Sequence, residues 1–252
     1  MKAGQPDMRL LVELIQDIGE LLLIVVCLLL AIRTFAQVRQ PSWSAPLAKR
    51  RLAVLLMLAF SVVAIKLVED VVTGESGIVD RAILIFVHRV VPQALSPFFE
   101  GVTATGSSGF LFPLTIASVI AMLVARRGFD ALLLSMSVLG AVAVVYLVKI
   151  MVNRDRPSLW ETAWYWGSSF PSGHTLTVTA FATAVALCVD RAWPRGRALV
   201  VTAAVCWAGL VALSRLVLGV HWPTDVLAAA CIGAVLPLAL SVWMELRHSK
   251  RI

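Results

Sequence analysis

The sequence predicts an all-α protein, a polytopic helix bundle built in a membrane. Three observations carry that expectation. Of 252 residues, 60% are hydrophobic and 15% charged, whereas a soluble domain is about half apolar and a quarter charged. The apolar residues fall in runs near the ~20 residues that a helix needs to cross a bilayer. The basic residues, which give a net charge of +7, gather in short connectors between those runs. Such placement fits cytoplasmic loops facing anionic lipid and argues against nucleic acid as the partner.

Seven candidate spans follow, near 14–36, 52–72, 110–126, 130–149, 174–191, 198–216 and 223–244. The first has a short apolar core, Leu21 to Ile32, behind Glu13, Asp17 and Glu20. Acids before the run and bases after it are the wrong polarity for a cleaved signal peptide. It can span or lie partly in the interface. The basic stretch after it, from Arg33 to Arg51, favours spanning. Near the end of the second run, Lys66, Glu69 and Asp70 are spaced for a local ion pair.

Between the second and third runs, IVDRAILIFVHRVV alternates charged and apolar positions at helical spacing, as an interfacial amphipathic helix does. TATGSSG then reads as a turn. After the fourth run, Trp160, Trp164, Tyr165 and Trp166 suit the membrane–water boundary. Arg126 and Arg127, then Arg191, Arg195 and Arg197, then Arg247, Lys250 and Arg251 join the Arg33–Arg51 cluster on one side if the later runs alternate. That side is expected to be cytoplasmic. Cys27, Cys188, Cys206 and Cys231 lie inside apolar runs without ligand spacing and read as small packing residues.

Three patches carry chemistry, and all fall on the opposite, outer side. KIMVNRDRP places Lys149 at a helix end with Arg154 and Arg156 just beyond it. A lone lysine there usually snorkels; two adjacent arginines point to an anion. FPSGH opens a helix, and a helix N-terminus favours an anion. Ser172 there can serve only as an N-cap and Gly173 only as a turn residue, but His174 stands where it can donate a proton. SRLVLGVHWPTD ends one run and opens the next, with His221 and Asp225 four residues apart, so a carboxylate can support an imidazole. Lys149, Arg156 and Arg215 can neutralise a phosphoryl group while one histidine attacks phosphorus and the other protonates the leaving oxygen. Metal sites that handle phosphate favour carboxylates, and only Asp225 stands clearly among these groups.

The spacing of Lys149 with Arg156-Pro157, of Pro171-Ser172-Gly173-His174, and of Ser214-Arg215 with His221 and Asp225 resembles the three-part signature of the type 2 phosphatidic acid phosphatase family. The resemblance runs from about Arg51 to the C-terminus. It implies a six-helix membrane phosphatase core over 52–252, with 1–51 added as one extra N-terminal helix and a basic cytoplasmic connector. It also implies roles: His221 as the nucleophile that forms a phosphohistidine, Asp225 orienting it, and His174 as general acid. Lys149, Arg156, Ser172, Gly173 and Arg215 would hold the phosphate. No metal or other cofactor is implied. The substrate would be a lipid phosphate or isoprenyl pyrophosphate in a bacterial inner membrane, dephosphorylated on the periplasmic side. A lipid phosphotransferase on the same core and a non-enzymatic membrane transporter are the alternatives. The sequence carries no signal of an oligomeric state.

Overall fold

The computed structural model describes residues 8–160, 162 and 167–249. The side chains of Glu13, Trp164, Tyr165, Trp166, Lys250 and Arg251 lie outside that description. The helices are α1 (Met8–Arg39), α2 (Pro41–Lys49), α3 (Arg51–Thr73), α4 (Gly77–Val90), α5 (Ser96–Ala104), α6 (Ser108–Val124), α7 (Gly128–Val152), α8 (Gly173–Ala192), α9 (Arg197–Val217) and α10 (Pro223–Ser249). Among the described residues there is no strand. Among the described residues seven stretches are long and apolar enough to cross a membrane: Gln16–Arg39, Arg51–Thr73, Gln93–Val124, Gly128–Val152, Gly173–Ala192, Pro194–Val217 and Pro223–Arg247. They match the seven expected runs, and the protein is an integral membrane, all-α bundle. The third is longer than expected because α5 leads into α6 through the turn at Thr105–Ser107.

Local chemistry sets the helix ends. Gly74, at φ 81°, stops α3 in the left-handed conformation that glycine adopts without steric cost. Asn153, at φ 43°, does the same for α7. Pro223 opens α10, where the missing N–H costs nothing. Helix α8 sits at the centre. Leu176 and Ala180 pack with Ala141 of α7 and Ala229 of α10, while Val178, Phe181 and Ala184 pack with Leu134, Val138 and Val211. At Gly233 a Cβ would lie 2.5 Å from the Leu176 carbonyl oxygen, so only glycine lets α8 and α10 come this close. A second cluster, Val25, Val54, Leu58, Val62 and Val242, joins α1 and α3 to α10.

Two expectations are corrected. The Arg33–Arg51 connector is helical: α1 continues to Arg39 and α2 covers most of the remainder. Of the bases at this end, Arg50, Arg127 and Arg191 are held in ion pairs rather than left facing lipid headgroups. Arg50 lies 2.8 Å from Glu245 and 3.4 Å from Asp190. Arg191 lies 3.0 Å from Asp130 and 3.4 Å from Glu245, and Arg127 lies 2.7 Å from Asp130. These pairs clip one end of α2, α7, α8 and α10 together. Cys188 and Cys231 are buried as expected, but Cys27 and Cys206 lie on the outer surface of the bundle. Lys66 pairs with Asp70 at 3.0 Å and lies 3.5 Å from Glu69, as their spacing implied.

Candidate active site

The opposite end of the bundle gathers the three patches. The last turn of α7, the start of α8, the end of α9 and the start of α10 meet there, tied by the Ser172 N–H donating to the Asp225 carbonyl at 3.2 Å. His221 stands in the α9–α10 turn and is buried, 2% exposed. Its Nδ1 is 3.5 Å from Asp225 Oδ2. That is long for a hydrogen bond, and such contacts tighten when charge develops on the ring. Asp225 Oδ2 also accepts the Trp222 N–H at 2.8 Å, which fixes the carboxylate against the turn.

On the other side of the ring, Arg156 Nη1 is 3.4 Å from His221 Nε2. A guanidinium only donates, so Nε2 must be the bare nitrogen and Nδ1 carries the proton toward Asp225. Burial, above all, pulls the His221 pKa down to about 4. Asp225 opposes that shift, and the positive charges of Arg215 and Arg156 add to it. The ring is therefore neutral near pH 7, with a lone pair on the side that faces the cations.

Those cations are held by backbone and hydroxyl acceptors. Arg156 donates to the Val220 carbonyl at 2.8 Å and reaches the Ser168 carbonyl at 3.4 Å. Lys149 donates to that same Ser168 carbonyl. Arg215, buried at 1% exposure, donates to Thr103 Oγ1 of α5 at 2.8 Å. His174, in the first turn of α8, is half-buried and feels the charges of Arg215, His221, Lys149 and Arg156. Gly106 lies beside it: a Cβ there would be 3.4 Å from His174 Cβ and 2.9 Å from Val211 Cγ1, so the α5–α6 turn presses on the site.

Ser172 occupies the N-cap position of α8, yet its side chain makes no capping bond and accepts from Thr175 Oγ1 at 3.1 Å. Ser214 donates to the Val211 carbonyl within its own helix at 2.6 Å. Gly173, at the head of α8, is close-packed, with space for a Cβ only 3.4 Å from Val145. Arg154, grouped earlier with Arg156 as part of an anion site, is instead in ion pairs with Asp225 and with Asp80 of α4, both at 2.6 Å. Asp80, Thr103 and Ser168 were not singled out. The amphipathic α4 does exist, but it buries the acid Asp80 together with Leu84 and turns Ile78 and Phe86 outward. The charged side chains facing the two histidines are mainly cations, and Asp225 is the carboxylate among them. That donor set suits an anion better than a divalent metal.

The comparisons with known proteins fall on this region. Residues 130–249, which hold every group from Lys149 to Asp225, match the model of the PAP2 superfamily. Phosphatidylglycerophosphatase B of Escherichia coli K12 is 41% identical over 81 residues, which cover 32% of this chain and 30% of that protein. Phosphatidylglycerophosphatase B of Bacillus subtilis strain 168 is 32% identical over 146 residues, covering 56% of this chain and 71% of that protein. The crystal structure of a transmembrane PAP2-type phosphatidylglycerolphosphate phosphatase from Bacillus subtilis superposes with a TM-score of 0.69 at 26% identity, covering 75% of this chain and 96% of that one. By sequence, by bundle and by the region matched, the chain belongs to the PAP2 superfamily.

Proposed function

We propose that this chain is a membrane phosphatase that hydrolyses a lipid phosphate or isoprenyl pyrophosphate through a phosphohistidine on His221. The observation that carries the reading is the meeting of a neutral, carboxylate-backed imidazole with Lys149, Arg156, Arg215 and a second histidine at one end of the bundle. His221 Nε2 attacks phosphorus. The bond from phosphorus to the lipid oxygen breaks, and His174 gives that oxygen a proton. Water then attacks the phosphohistidine, His174 takes the water proton, and phosphate leaves as His221 Nε2 recovers its lone pair.

Lys149, Arg156 and Arg215, with the head of α8 at Ser172 and Gly173, balance the charge on the non-bridging oxygens. The relatives named for phosphatidylglycerol phosphate support a phospholipid monoester, such as that lipid or phosphatidic acid, as substrate; a relative provisionally named an undecaprenyl-diphosphatase supports an isoprenyl pyrophosphate. The site lies at the end of the bundle opposite Arg127 and Arg191. By the positive-inside rule it faces outward, on the periplasmic side of a bacterial inner membrane.

The test is phosphate release from phosphatidic acid, phosphatidylglycerol phosphate and undecaprenyl pyrophosphate by the purified protein. We expect release from at least one, and a loss of roughly 10³-fold or more in His221→Ala. Release from none by folded protein, or an active His221→Ala, overturns the reading. Phosphate appearing on a second lipid instead of in solution would make the enzyme a phosphotransferase. Because the cations occupy the place a metal would take, excess EDTA should leave the rate within about twofold; abolition by EDTA with rescue by a divalent ion would contradict that.

A further inference from the structure

Asp80 lies outside the three motif patches, yet it is completely buried. Its Oδ2 accepts from Arg154 Nη2 at 2.6 Å and from Thr224 Oγ1 at 2.7 Å, and its Oδ1 accepts the Thr224 N–H at 2.9 Å. The other arm of Arg154 donates to Asp225 Oδ1 at 2.6 Å and to Thr224 Oγ1 at 2.8 Å. Ser76 Oγ accepts from Arg154 Nη2 at 3.2 Å. One guanidinium is thus shared between the carboxylate that backs His221 and a second carboxylate from a different helix.

The charge count matters more than the hydrogen bonds. An Arg154–Asp225 pair alone would be neutral, and Asp225 would offer little to a cationic ring. Adding Asp80 gives one half-buried guanidinium and two buried carboxylates, a trio one unit negative. That surplus lies next to His221 Nδ1, 3.5 Å from Asp225 Oδ2. When Nε2 bonds to phosphorus while Nδ1 keeps its proton, the ring becomes cationic, and its positive charge needs an anion that is not already cancelled. Burying a second carboxylate is expensive, and mere fastening of α4 would not require its charge, since Ser76 already ties the head of α4 to Arg154 and a neutral amide at position 80 could still accept from Thr224.

We propose that Asp80 is a positioning residue for His221: it holds Arg154 so that the arginine aims the Asp225 carboxylate without neutralising it. The proposal rests on the reading of His221 as nucleophile. It adds α4, which carries none of the motif residues, to the elements that set the rate of phosphoryl transfer.

The experiment compares kcat and KM for phosphate release, from whichever of phosphatidic acid, phosphatidylglycerol phosphate and undecaprenyl pyrophosphate the wild type hydrolyses fastest, in wild type, Asp80→Asn and the double variant Asp80→Asn with Arg154→Gln, each checked for folding by thermal unfolding in detergent. Asp80→Asn leaves Arg154 to cancel Asp225, so kcat should fall ~10- to 100-fold with KM within ~3-fold. The double variant removes both outer charges and restores the net charge beside His221, so its kcat should recover at least ~5-fold over Asp80→Asn, although it has lost more native bonds. A purely structural role predicts the reverse order, with the double variant slower. An Asp80→Asn kcat within ~2-fold of wild type, or a double variant slower than the single, overturns the proposal. If Asp80→Asn does not fold, the double variant is set against wild type: a kcat within ~10-fold supports the proposal, and a larger loss, or failure of this variant to fold as well, overturns it. A wild type that releases no phosphate sinks the phosphatase reading itself. An active wild type with an equally active Asp80→Asn sinks only the role of Asp80.

Discussion

At the scale of single residues, the His221 ring has one bare nitrogen facing Arg156 and one protonated nitrogen facing Asp225, and its pKa is pulled down to about 4. The free enzyme should therefore lose no activity to protonation of His221 between pH 7 and pH 5. A kcat/KM profile, with the histidine resonance followed by NMR in parallel, would refute this by tracing an ionisation near 6.5 to His221. The same shift affects stability. The folded chain holds the proton less tightly than the unfolded chain, so the unfolded chain protonates first as pH falls. The contribution from His221 is complete above about 6.5 and disappears as pH falls through about 4. His221→Asn should flatten that part of the acid-stability curve in thermal unfolding. The six titratable or cationic groups that meet here, Lys149, Arg156, His174, Arg215, His221 and Asp225, were legible because each falls in one of three short motifs whose spacing resembles a family signature. Asp80 and Thr103 were not, because an isolated Asp in IVDRAIL, or a Thr of α5 that the sequence groups with the TATGSSG turn, gives no hint of a partner far along the chain. Arg154 was visible but misread, since sequence cannot tell which of two nearby arginines faces the phosphate.

At the scale of elements, the site depends on how closely α8 and α10 approach, because each delivers a histidine-bearing end. Gly233 sets that distance, with its missing Cβ 2.5 Å from a backbone oxygen that cannot rotate away. Gly233→Ala should therefore destabilise the bundle by about 1–3 kcal/mol, read as a lower Tm. It should also lower phosphate release per folded molecule, since α8 would carry His174 away from His221. Unchanged Tm and rate would mean that the two helices shift without consequence. The apolar spans were readable from composition, and so was α4, because their periods are local. Helix α2 lies in the stretch expected as a basic connector, and PSWSAPLAK, with Pro41 and Pro46, gives little local sign of a helix. Pro41 is harmless at the first helical position, and the adjoining Arg50 is drawn onto Glu245 of α10, a tertiary anchor that no window of sequence contains.

At the scale of the whole molecule, the two ends of the bundle are chemically opposite. One holds Lys149, Arg156 and Arg215 around the two histidines, with Arg154 tied to Asp80 and Asp225 behind them; the other pairs Arg50, Arg127 and Arg191 with Asp130, Asp190 and Glu245. The second end therefore carries less free positive charge than its arginine count implies, and the orientation argument rests on the exposed remainder, among it Arg33, Arg39, Lys49, Arg51, Arg126 and Arg195. Those six still outnumber the exposed bases near the site, which is why the site is expected outside. In a variant with Cys27, Cys188, Cys206 and Cys231 replaced by alanine, a cysteine introduced at exposed Ser158 should react with a membrane-impermeant maleimide in intact cells. One introduced at exposed Arg195 should react only after permeabilisation. The reverse pattern would place the histidines in the cytoplasm. The substrate would then be drawn from the inner leaflet, and the outward-facing chemistry proposed for this chain would fail, while the geometry of the site would stand.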